Sequence, residues 1–139
     1  MTINEIQDEI IDEFSLFEDW TDKYEYIIDI GKKLPLMEEI FKNEENIIKG
    51  CQSRVWLYAE LIEGNINFKG DSDAVTVKGL IALLIRVLSG FSPSEIANAN
   101  VYFIEKIGMA QHLAQTRANG LFSMLKQMKL YALAFSGRL

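Results

Sequence analysis

Arg54-Val55-Trp56-Leu57-Tyr58-Ala59-Glu60-Leu61-Ile62, then Glu63-Gly64-Asn65, then Ile66-Asn67-Phe68-Lys69-Gly70 is the stretch whose reading decides the fold. Val55, Leu57, Ala59 and Leu61 alternate with Trp56, Tyr58, Glu60 and Ile62, the period-two pattern of a strand with two unlike faces. Gly64-Asn65 is a turn signal, so Ile66–Gly70 should pair back on Arg54–Ile62 as an antiparallel hairpin. A hairpin alone is marginal in water, so helices must cover its apolar face. The predicted class is α+β: a small antiparallel sheet flanked by helices.

Upstream, Ile3, Ile6, Ile10, Phe14 and Phe17 recur at helical spacing between acidic positions, which predicts an amphipathic helix over 3–17. A second helix is predicted near Thr21–Leu34, with Thr21 as cap, Tyr24, Ile27 and Ile28 on the inner face, and Gly31 and Pro35 ending it. A short helix is expected around Met37–Phe41. Downstream, Asp73 reads as the N-cap of a helix Ala74–Leu88 whose segment Leu80–Leu84 is apolar nearly all round and therefore central. Ser92-Pro93-Ser94-Glu95 combines a cap serine, proline at the first helical position and a capping-box glutamate, and predicts a helix over 93–98. A loop over Ile107–Arg117 leads into a last helix from about Thr116 to Phe135. Its apolar face is Leu121, Leu125, Met128, Ala132 and Phe135, with Met124 and Met128 as gap-filling core residues.

At 139 residues, with 49% hydrophobic residues and two prolines, the chain is predicted to be one domain, 1–139, large enough to bury a core unaided. Residues 1–46 hold 14 of the 20 acidic residues and four of the 14 basic ones, a net −10, leaving +4 for the rest. That mildly basic remainder could meet an acidic partner, but an ordinary solvated surface is the favoured reading. No basic stripe with interleaved aromatics points to nucleic acid. The longest apolar run, Leu80 to Ile85, is too short to cross a bilayer. The acidic N-terminal stretch does not read as a secretory signal, so a cytoplasmic location is expected.

Cys51 is the only cysteine. It lies in Lys49-Gly50-Cys51-Gln52-Ser53-Arg54, just before the hairpin. One thiol can neither form an internal disulfide nor supply a structural zinc or iron–sulfur site. A packed, inert thiol and a nucleophile both stay open. Glycine and small polar neighbours favour a loop, and Lys49 or Arg54 near the sulfur would favour its thiolate.

Four stretches together resemble the SufE-like sulfur acceptor family. They are Trp20, Lys23-Tyr24, Ile27-Ile28, Gly31 and Leu34-Pro35; Gly50-Cys51-Gln52-Ser53 with Val55-Trp56-Leu57; Gly70-Asp71-Ser72-Asp73-Ala74 with Val77-Lys78-Gly79-Leu80; and Gln111-His112-Leu113 with Arg117 and Asn119-Gly120-Leu121. The resemblance runs from about residue 20 to the end. It implies the fold shared with IscU scaffolds, and a role for Cys51 as acceptor of persulfide sulfur from a SufS-like cysteine desulfurase, stimulating that enzyme and passing the sulfur to a SufBCD-like cluster assembly complex. It implies no metal site and no bound cofactor, pyridoxal phosphate belonging to the desulfurase. IscU scaffolds use three cysteines; with one, this chain can carry sulfur but should not build a cluster. Such transfer needs an accessible loop, for which Gly50 offers a hinge and Gln52 and Ser53 small polar flanks. Trp56 and the aliphatic face of the hairpin are candidate walls for the persulfide.

Where the family usually has Thr-Pro-Ser-Arg, this chain has Ala114-Gln115-Thr116-Arg117, without the stiffening proline. Arg117 is retained and reads as a desulfurase contact, since the helix dipole disfavours a cation at a helix start; a plain surface arginine is the alternative. His112 could pair with Cys51 in a small cysteine hydrolase or transferase, but a hydrogen-bonded structural histidine is favoured. Asp73 reads first as a cap and second as a residue that orients the Cys51 loop. A non-catalytic interaction module is the third reading of the chain.

Overall fold

The computed structural model describes residues 1–137; the last two positions of the expected 1–139 unit lie outside the described residues. In chain order come α1 (Ile3–Phe14), α2 (Trp20–Lys32), two short 3-10 turns at Glu39–Phe41 and Glu44–Asn46, β1 (Val55–Ile62) and β2 (Asn65–Ser72). α3 (Val75–Leu88), α4 (Pro93–Asn98), α5 (Phe103–Ile107), α6 (Met109–His112) and α7 (Gln115–Phe135) follow. The fold is α+β, with β1 and β2 forming a two-stranded antiparallel sheet.

The hairpin runs in register from Val55 opposite Ser72 to Ile62 opposite Asn65. Glu63 (φ 51°) and Gly64 (φ 84°) both take left-handed backbone, the requirement of a two-residue type I′ turn. The turn is therefore Glu63-Gly64 and not Gly64-Asn65, and β2 extends past Gly70 to Ser72. Val55, Leu57, Ile66 and Phe68 point into the core, while Phe41 stacks on the outward Tyr58 at 4.2 Å.

α3 is the central helix. Leu80, Ile81, Leu83, Leu84, Val87 and Leu88 are all essentially inaccessible, as an all-round apolar segment requires. α2 crosses it so closely that a Cβ on Gly79 would lie 2.1 Å from the Ile27 carbonyl oxygen, and one on Gly31 would lie 2.7 Å from the Gly79 nitrogen. Gly31, read as a helix stop, does lie in the last turn of α2, one residue before its end, and is in addition kept small by the crossing.

Several local expectations shift. α1 ends at Phe14, three residues before Phe17, which still packs its ring 5.0 Å from Tyr26. Asp19, not Thr21, caps α2, its carboxylate accepting from the Asp22 N–H. The helix around Met37–Phe41 is a single 3-10 turn at Glu39–Phe41. α4 is as read, with Ser92 and Glu95 closing a capping box behind Pro93. The 107–117 loop contains α6. On α7, Leu121, Met124, Met128 and Ala132 are buried and Phe135 is exposed.

Two polar clusters fasten the periphery. Arg86 on α3 donates to Glu9 at 3.0 Å and to Glu13 at 2.9 Å, Tyr26 also donates to Glu13, and α1 is thereby held to the core. Buried Gln7 accepts from the Tyr102 and Phe103 N–H groups and donates to the Asn100 carbonyl, tying α1 to the start of α5.

Candidate functional site: the Cys51 loop on the last helix

The Ile48 N–H donates to the Val55 carbonyl at 2.8 Å, so the chain between them, residues 49–54, is a loop closed at its base. Its far end is pinned at Arg54. The Arg54 N–H donates to the Asp73 carboxylate at 3.1 Å, the Arg54 carbonyl accepts from the Ser72 hydroxyl at 2.8 Å, and it also accepts from the Asp73 N–H at 3.3 Å. Asp73 is therefore no helix cap: Ala74 occupies that position, with no side-chain cap bond. The fold places the Arg54 N–H, and not an α3 N–H, in reach of the Asp73 carboxylate.

At the near end Gly50 has φ +93°, and a Cβ there would sit 2.7 Å from the Ser123 hydroxyl oxygen. Cys51 follows directly. Its thiol donates to the Gly120 carbonyl at 3.7 Å, and a Cβ on Gly120 would come within 3.4 Å of the sulfur. The side chain is half-buried. Burial pushes the thiol pKa above its ordinary value of 9.0, because a low-dielectric site penalises the thiolate. Neither Lys49 nor Arg54, either of which would favour the thiolate if it came near the sulfur, lines the cavity that the sulfur faces.

The sulfur opens onto a cavity of about 260 Å³. Gln52 and Ser53 line it from the loop, Val77 from α3, and Ala114, Thr116, Arg117, Gly120 and Met124 from the α6–α7 connection and α7. Of the residues singled out in the sequence, Cys51, Gln52, Ser53 and Arg117 meet here, with Gly50 and Asp73 fixing the loop. Arg117, exposed in the first turn of α7, stands at the rim.

His112 and Trp56 are elsewhere. The His112 ring stacks on Trp20 at 4.4 Å, its Nδ1 is 2.9 Å from the Gly108 carbonyl, and its own carbonyl accepts from the Tyr24 hydroxyl at 2.7 Å. It does not line the cavity, so the structure assembles no Cys51–His112 pair there. Trp56 is on the other face of the hairpin, opposite Asp71 and beneath the Lys42 ammonium at 5.6 Å. It cannot wall the thiol as expected. Val77, Ala114 and Met124 do so, and sequence reading missed them, since a methionine at core spacing signals only packing. Gly120, four residues before Met124 on one α7 face, was the available hint.

Motif residues far apart in the chain meet in space. Trp20 and Tyr24 hold the backbone and ring of His112, just ahead of the cavity-lining Ala114, and Gly31 meets Gly79. Among the described residues no cluster of three or more His, Cys, Asp or Glu side chains could hold a metal ion, and no helix is long and apolar enough to cross a membrane.

A small helix-covered hairpin presenting one half-buried thiol matches what the comparisons find. The SufE family, described as Fe-S metabolism associated domain, matches residues 8–132, and the chain belongs to that family. It is 41% identical over 127 residues to an uncharacterized SufE-like protein of Rhizobium meliloti, covering 88% of this chain and 91% of that one. It is 41% identical over 126 residues to another from Synechocystis, covering 91% and 79%. The solution structure of a hypothetical protein from Thermus thermophilus superposes with a TM-score of 0.76 over 93% of this chain and 94% of that one; at 18% identity it shares the fold. Family membership assigns a role in iron–sulfur metabolism.

Proposed function

We propose that the protein is a sulfur carrier: Cys51 takes sulfane sulfur from the persulfide of a SufS-like cysteine desulfurase, stimulates that enzyme by clearing it, and hands the sulfur to a SufBCD-like cluster assembly complex in the cytoplasm. The Cys51 thiolate attacks the terminal sulfur of the donor persulfide. A new S–S bond forms on Cys51, the donor's S–S bond breaks, and the donor cysteine leaves as a thiolate. No external oxidant or reductant is needed, and the proton lost by the Cys51 thiol balances the one taken up by the departing group.

The observation that carries this reading is the single thiol of a SufE-family chain facing a cavity larger than its own side chain needs. Apolar Val77, Ala114 and Met124 would shelter the added sulfur, and Arg117 at the rim would meet the desulfurase. The reading predicts that incubation with a cognate desulfurase and L-cysteine adds one or more sulfur atoms to the intact mass, that reductant removes them, and that Cys51→Ser abolishes the gain. A wild-type protein that gains no mass with any cognate desulfurase would refute it.

A further inference from the structure

The thiol is held by a surface that the sulfur-carrier chemistry does not itself require. Gly50 and Cys51 rest side by side on consecutive turns of α7, Gly50 against Ser123 and Cys51 against Gly120. The Gly50 contact is tight. With φ +93° and the Ser123 oxygen 2.7 Å from where a Cβ would be, any side chain at position 50 would meet left-handed backbone strain and would have to turn the Ser123 hydroxyl away. We propose that Ser123 is a positioning residue whose contact with Gly50 seats the Cys51 loop on α7 and so sets how often the sulfur is open to an electrophile.

The reasoning is local. The base of the loop is fixed by the Ile48–Val55 bond and its far end by the bonds to Arg54. Between those ties the backbone left to lift is residues 49–53, which carry Gly50 and Cys51, and what those two lift from is α7. A weak thiol-to-carbonyl bond of 3.7 Å holds little by itself. The fit of Gly50 against Ser123 therefore sets the closed population, in which the sulfur is half-buried; lifting the loop exposes it further and speeds its attack on a thiol reagent.

The proposal deepens the carrier reading, but its test runs without sulfur transfer. Iodoacetamide alkylation of Cys51 at fixed pH reports the open population. Gly50→Ala should speed it about tenfold, because the left-handed strain and the Ser123 contact both oppose seating. Ser123→Ala, added to Gly50→Ala, removes the atom at 2.7 Å and should return a measurable part of that gain. Ser123→Leu, which leaves the loop sequence intact, should speed alkylation by itself, with far-UV circular dichroism and the urea midpoint near wild type. The proposal is overturned if Gly50→Ala has the same effect with or without Ser123, or if Ser123→Leu alkylates at the wild-type rate. Loss of desulfurase-dependent mass gain alongside the expected alkylation pattern would count against the carrier reading and leave the seat standing.

Discussion

At the scale of the residue, Cys51 is a thiol kept neutral. It donates its S–H to the Gly120 carbonyl, and burial pushes its pKa upward. Because only the thiolate reacts, alkylation should keep accelerating as pH rises through 9.0 and not level off there, as an exposed thiol's would; stopped-flow or quenched kinetics between pH 7 and 10 read this directly. A plateau below pH 8 would show that some cation reaches the sulfur after all. Arg117 makes a separate expectation. It lines the cavity from an exposed position, so Arg117→Ala should leave alkylation unchanged while weakening stimulation of a desulfurase about tenfold, the cost of a lost interfacial charge contact. An equal loss in both assays would mean that the arginine shapes the loop and not the partner.

At the scale of the element, the closest crossing is that of α2 and α3. Gly79→Ala puts a methyl 2.1 Å from the Ile27 carbonyl and should cost about 3 kcal/mol, seen as a lower urea midpoint with an unchanged slope. Gly90→Ala, where no atom lies within 4 Å, pays only its left-handed backbone and should cost about 1 kcal/mol. The same crossing explains which features were legible in the chain. α4 was readable to the residue because Ser92, Pro93 and Glu95 satisfy one another within a single turn, and the hairpin because alternation is local. Gly31 was legible as a stop but not as the residue that must stay small against Gly79, and Asp73 was misread as a cap because its partner is Arg54. For the site, the loop was visible in the small residues around Cys51. Its walls were not, since Val77, Ala114 and Met124 carry no chemistry and come from three separate stretches that only the packed fold brings together.

At the scale of the whole molecule, buried ionic ties join parts remote in sequence. Asp71 on β2 is nearly inaccessible and meets Lys42 at 2.9 Å and Lys78 at 3.4 Å. Burial pushes its pKa up, but the Lys42 and Ser72 hydrogen bonds win and hold it below the ordinary 3.8. Glu13 is likewise held low, chiefly by Arg86. Depressed carboxylates give stability that is present above their unfolded pKa and lost as pH falls through the folded one. The urea midpoint should therefore hold near neutrality and drop below about pH 4. Asp71→Asn should cost about 2 kcal/mol at pH 7, because Lys78 and Lys42 lose their buried counter-charge while Lys42 keeps the exposed Glu39 at 3.3 Å, and should flatten the acid limb. The Ile48–Val55 bond has the last consequence. Cys51 stands only three positions from that anchor, so even fully stretched backbone carries it no farther than about 10 Å. Such a tether rules out an arm that reaches across solvent: a donor must bring its own sulfur up to this protein's face, and the two molecular outlines have to interlock before a single atom can change hands.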